Sequence, residues 1–180
     1  MKHIHDLSPR IKTIIAITVF SCAALISFVS HLGSLSVTLP LFIFYVLFLI
    51  NSYISIKLFF GIIPPRMKSQ TYIDLFLAVV YIALAWNFAN PTLFAFLLVL
   101  FFLFGSMKYV FLIHTITNHP TLIRRKIIAN ILASTLGLLT LGGILLGYEQ
   151  ASMWGLVIVF ALANIFIFFI SPLYKLDNIL

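Results

Sequence analysis

"TLFAFLLVLFFLFGSMKYVFLIHT", residues 92–115, carries a single charged side chain, Lys108, in an otherwise apolar run. As a helix rising about 1.5 Å per residue it would reach roughly 36 Å, enough to cross the roughly 30 Å hydrocarbon core of a bilayer. A chain in hydrocarbon must satisfy its own backbone, and the run is too long for a barrel strand. Five more apolar runs flank it, near 13–31, 37–60, 71–89, 127–147 and 151–173. The expected fold is an all-α membrane protein, a bundle of six transmembrane helices in one domain over 13–173. Tails at 1–12 and 174–180 lie outside it.

Composition agrees with lipid as part of the solvent. The 180 residues are 63% hydrophobic and 8% charged, with mean hydropathy +1.19. Soluble domains carry about 25% charged residues, so this chain cannot cover its surface with polar groups. The pI near 9.8 does not point to nucleic acid, because the positive charges sit between apolar runs rather than in one basic stripe. Cys22 is the one cysteine, which excludes an internal disulfide. "VFSC" at 19–22 is similar to a lipoprotein cleavage box, but Phe20 stands where a small residue belongs and the apolar run continues beyond Cys22. The first run is read as a retained span rather than a signal peptide.

The connections are short: "HLGSLS", "GIIPPRMKSQ", "NFANPT", "TNHPTLIRRK" and "GYEQAS". Links of this length predict sequence neighbours packed antiparallel. Pro64 and Pro65 stop the second helix and Asn90-Pro91 breaks the third from the fourth. Pro40 is tolerable if it lies in the first turn of the second helix. Lys2, Arg10, Lys12, Arg66, Lys68, Arg124, Arg125, Lys126 and Lys175 all fall on one side of a six-span arrangement, and the other side carries no Lys or Arg. The asymmetry places both termini in the cytoplasm and is compatible with a bacterial inner membrane. No residue-level match relates the two halves, so an inverted repeat remains architectural only.

Lys57 and Lys108 are the basic residues within the spans and Asp74 is the acid. Intramembrane charges raise a functional hypothesis by default. Counted from the turn at Asn90, Asp74 and Lys108 lie about 24 and 27 Å away on adjacent antiparallel helices, at similar depth. Asp74 shares a face with Ala78, Tyr81 and Ala85, opposite the bulkier Leu75, Val79, Ile82 and Trp86. Asn51, Ser52 and Ser55, with Asn130, Ser134 and Asn164, are further polar positions; the expectation is a shallow pocket open to the cytoplasm. A structural reading stands beside it. Lys57 snorkels to the headgroups, Asp74 complements the dipole at its helix start, Asp74–Lys108 pins two helices in register, and the polar residues act as interhelical glue. "GILLG" at 143–147 predicts close helix packing within the monomer.

No metal or cofactor is expected. "MKHIHD" places His3 where a free amino terminus chelates Cu(II), but a solvated tail is the reading preferred. His31 lies at the opposite membrane edge from His114 and His119, so no histidine pair brackets a haem. Paired acids and a Ser/His arrangement are absent from the spans, which argues against an enzyme.

Residues 7–20, "LSPRIKTIIAITVF", resemble the start of the transmembrane coupling subunit of energy-coupling-factor vitamin transporters, where a Pro-Arg-x-Lys turn leads into the first helix. The likeness is confined to that segment, and the long coupling helices with arginine signatures are missing. The six-span size is also similar to the substrate-binding subunits of those systems.

The functional expectation is a small transporter or transporter membrane subunit for a small polar solute, anionic if Lys108 contacts it. The alternative is a non-transporting accessory or assembly subunit of a larger membrane complex. A lipid-processing enzyme ranks third. The expected partners are membrane lipids, the solute, and a membrane protein or a second copy of the chain.

Overall fold

The computed structural model describes residues 9–62, 68–113 and 120–170. Six helices follow in order: α1 Pro9–Ser30, α2 Leu35–Ile62, α3 Lys68–Trp86, α4 Pro91–Ile113, α5 Pro120–Leu145 and α6 Glu149–Ile165. No strand occurs among the described residues. Five helices are long and apolar enough to cross a membrane. The sixth, α3, has an apolar stretch of Thr71–Trp86 only, shorter than the expected run to residue 89. It stops early because Asn87 turns the chain. Asn87 N–H donates to Leu84 O at 3.2 Å and its Nδ2 to Ala83 O at 2.6 Å. Asn90 then caps α4, its Oδ1 accepting from Leu93 N–H at 3.0 Å, with Pro91 at the first helical position, where no N–H is needed.

The helix starts also differ from the sequence reading. α5 begins at Pro120, so Arg124, Arg125 and Lys126 lie in its first two turns rather than in a link. α3 begins at Lys68 and has no acid in its first turn, so Asp74 lies about 9 Å along the helix. The dipole reading of Asp74 therefore weakens, because that effect fades beyond the first turn. α2 begins at Leu35, after a 3₁₀ turn over Leu32–Ser34, which moves Pro40 beyond the first turn. A proline there leaves the carbonyl four residues back without its helical donor. That carbonyl, Ser36 O, accepts instead from Gln150 Nε2 at 3.0 Å.

The helices close a ring in the order α1, α2, α6, α5, α4, α3 and back to α1. Short links do make antiparallel neighbours of α1–α2, α3–α4, α4–α5 and α5–α6. The exception is α2 and α3, which meet mainly through side chains across the middle. There Tyr81 stacks between Phe20 and Phe48, with ring centroids at 4.5 and 4.7 Å. Phe48 also meets Phe101, Phe102 and Phe160. Rings from five helices thus fill the centre.

At the far end of α5 the chain reverses in a Schellman turn: Tyr148 N–H donates to Gly143 O at 2.9 Å and Gly147 N–H to Ile144 O at 3.0 Å. Gly147 holds φ +87, the left-handed conformation that favours glycine. Gly143 lies where an added Cβ would collide with Ser152 Oγ of α6. Both glycines of "GILLG" therefore serve the α5–α6 hairpin.

Candidate functional site

Lys108 Nζ of α4 donates to Asp74 Oδ1 of α3 at 2.5 Å. The two side chains are unequally covered: Lys108 is 15% exposed and Asp74 53%. The face that Asp74 shares turns inward further along, where Tyr81 and Ala85 are buried, while Leu75, Val79 and Trp86 face outward. Asp74 itself is at the exposed end of that face. The pair joins the outer seam of α3 and α4 rather than the centre of the ring.

The remaining polar positions lie on other seams. Asn51 of α2 donates through Nδ2 to Asn164 Oδ1 of α6 at 2.5 Å, and Asn164 Nδ2 donates to Phe160 O at 3.0 Å. Both amides are buried, so each uses the other to avoid the cost of an unpaired polar group. Tyr81 O–H donates to Ser52 Oγ, and Tyr45 O–H donates to Tyr81 O, each at 3.2 Å. Ser55 is buried and Lys57 is exposed, with no ion pair to Lys57 among the described residues. The structure thus brings Asp74 and Lys108 together and Asn51 and Asn164 together. Lys57 joins neither pair. His114, His119 and "MKHIHD" lie outside the described residues, and no cluster of metal-binding side chains occurs among those described.

Sequence reading singled out Asn130 and Ser134 on α5 but missed that Lys126, Gly137 and Thr140 share their buried face. Asn130 packs on Gly105 of α4, where an added Cβ would stand 3.1 Å from Asn130 Nδ2. Gly137 packs on Val99, where an added Cβ would stand 3.0 Å from Val99 Cγ2. Small residues let the two backbones approach, and polar side chains fill the seam. Ser134 Oγ is buried without a hydrogen-bond partner among the described residues. The helical spacing of Lys126, Asn130, Ser134 and Gly137 was the available signal. Reading Lys126 as part of a link concealed it.

One groove stands apart from these polar contacts. It opens between α1 and α2, has a volume of about 380 Å³, and is lined by Ile17, Ser21, Ala24, Leu25, Phe42, Val46, Leu49, Ile50 and Tyr53.

These features define an all-helical protein whose apolar helices suit a membrane. No protein-family model matches the chain, and no curated protein or solved structure matches it either.

Proposed function

We infer that this chain is a six-span protein of a bacterial inner membrane with both termini cytoplasmic, acting as an accessory or assembly subunit of a larger membrane complex. The observation that carries this reading is how the polar groups are used. Asp74 pairs with Lys108 across α3–α4, and Asn51 with Asn164 across α2–α6. Asn130 fits against Gly105 across α4–α5, while aromatic rings occupy the centre. Groups spent on joining helices in pairs make a rigid scaffold. The short apolar stretch of α3 is compatible with a sixth span, because α1 and α4 pack beside it and a bilayer adapts to modest mismatch.

Transport of a small polar solute is the second reading. The Asp74–Lys108 pair favours it, since an intramembrane charge pair with a half-exposed acid is a place for an anion or a proton to enter. One preparation separates the two. Gentle-detergent release followed by native mass spectrometry should recover a heteromer from wild type under the accessory reading. Uptake by reconstituted vesicles that is lost in Asp74→Asn and Lys108→Met, with no heteromer, would replace it by the carrier. Reporter fusions at both termini test the orientation, and a periplasmic signal from either would overturn it.

A further inference from the structure

We propose that the α1–α2 groove is a binding site for an anionic phospholipid, with an acyl chain lying along the groove and the headgroup phosphate at Lys57. The inference rests on the reading that the chain lies in a membrane. The groove is lined on α1 by the small Ser21 and Ala24 and on α2 by the larger Val46 and Leu49. Its α2 wall is one helical stripe: Phe42, Val46, Leu49 or Ile50, then Tyr53. From Phe42 to Tyr53 that stripe runs about 16 Å, close to the roughly 15 Å of hydrocarbon in one leaflet. The next position on the same stripe is Lys57, exposed and without an ion pair among the described residues. Counted outward from the turn at Leu32–Ser34, Lys57 is level with the first residues of α1, at Pro9 and Arg10.

The two ends of the groove therefore differ in kind. Its length is apolar, which suits a hydrocarbon chain and gives a soluble anion nothing to hold. Its mouth is cationic, which favours a phosphate carrying net negative charge over a zwitterionic headgroup. A protein partner's transmembrane helix would use the same apolar wall without needing Lys57. A furrow at the scale of one acyl chain, ending at an unengaged lysine, fits the lipid better.

The test uses the full chain in mild detergent, titrated with phosphatidylglycerol or phosphatidylcholine and read by native mass spectrometry. Three variants accompany wild type: Lys57→Gln, Lys57→Arg as the charge-preserving control, and Val46→Trp to fill the groove. Val46 is lipid-facing enough to accept the larger ring, being 38% exposed. Wild type should prefer phosphatidylglycerol. Lys57→Gln should weaken phosphatidylglycerol binding about fivefold, the effect of one basic residue near an anionic surface, and leave phosphatidylcholine unchanged. Lys57→Arg should bind as wild type, and Val46→Trp should lose both lipids. Equal binding of the two lipids by wild type, or unchanged binding in Lys57→Gln and Val46→Trp, overturns the proposal. A homodimer or heteromer that Val46→Trp dissolves also overturns it, by assigning the groove to a protein. Alkaline extraction of the same membranes distinguishes the underlying reading: a chain released into the supernatant refutes membrane embedding itself, whereas a retained chain with unselective binding refutes only the lipid site.

Discussion

Asp74→Asn should destabilise the fold more than Lys108→Met, although the two substitutions break the same ion pair. The reason is their unequal exposure, 15% for Lys108 and 53% for Asp74. Asp74→Asn keeps the shape but leaves a largely covered ammonium without its counter-charge. A hydrogen bond to a charged group is worth about 1.5–3 kcal/mol, and stranding one partner of a fully buried pair costs about 3–5 kcal/mol. Lys108 is not fully buried and its long stem permits partial escape, so about 2 kcal/mol is expected. Lys108→Met leaves a half-exposed carboxylate that water or headgroups reach, and the loss should stay near the 1 kcal/mol ceiling of exposed pairs. The double variant strands neither charge and should cost less than the sum of the singles by about 1 kcal/mol. Reversible unfolding in mixed micelles, followed through Trp86 and Trp154 fluorescence, measures all four corners of the cycle. A Lys108→Met loss equal to or above that of Asp74→Asn, or strict additivity, would refute the reasoning. The exchanged pair, Asp74→Lys with Lys108→Asp, adds a functional arm: recovery of folding and activity together marks the pair as structural, and recovery of folding alone marks its polarity as functional.

Phe48→Ala should cost about 3–5 kcal/mol in the same unfolding assay, the range for emptying a packed aromatic site, because Phe48 is 2% exposed and touches rings from three other helices. Gly137→Leu should cost at least the roughly 1–3 kcal/mol of overpacking and lower the yield of folded protein, since even a Cβ there meets Val99 at 3.0 Å; normal thermal stability by size-exclusion would contradict the α4–α5 contact. Gln150→Ala should cost about 1 kcal/mol by stranding Ser36 O, and should cost nearly nothing in a Pro40→Ala background, where residue 40 regains the N–H that serves that carbonyl. Equal losses in the two backgrounds would count against the compensation.

The helices were legible because apolar length is a strong signal, and their ends were not because an end depends on local hydrogen bonds. Asn87 illustrates this: its side chain turns back to Ala83 O, a choice that hydropathy does not record. The Asp74–Lys108 register was readable because two antiparallel helices joined by a short turn measure depth by counting. The Asn51–Asn164 contact was not, since no local rule places α6 beside α2. The expected single pocket gathered residues of different helices mainly by depth. Depth is one coordinate of a helix, and the ring order supplies the other: α2 and α6 carry one pair, α3 and α4 another.

The burial pattern of α5 argues for lipid on grounds independent of helix length. In water a surface helix turns its apolar stripe inward and its polar residues outward. Here the order is reversed: Asn130, Ser134 and Thr140 are buried, while Ile128, Leu132 and Leu139 are 57%, 65% and 69% exposed. In water that arrangement would bury polar groups and wet large apolar ones, losing on both counts. Against hydrocarbon the exposed leucines cost nothing, and small polar residues become the means by which helices adhere. The same reasoning bears on function. A polar seam closed tightly by Gly105 and Gly137 is spent on cohesion, so specificity toward anything outside the bundle must come from surfaces that cohesion leaves unused. Of these, the α1–α2 groove is an apolar furrow whose α2 stripe continues toward the exposed Lys57.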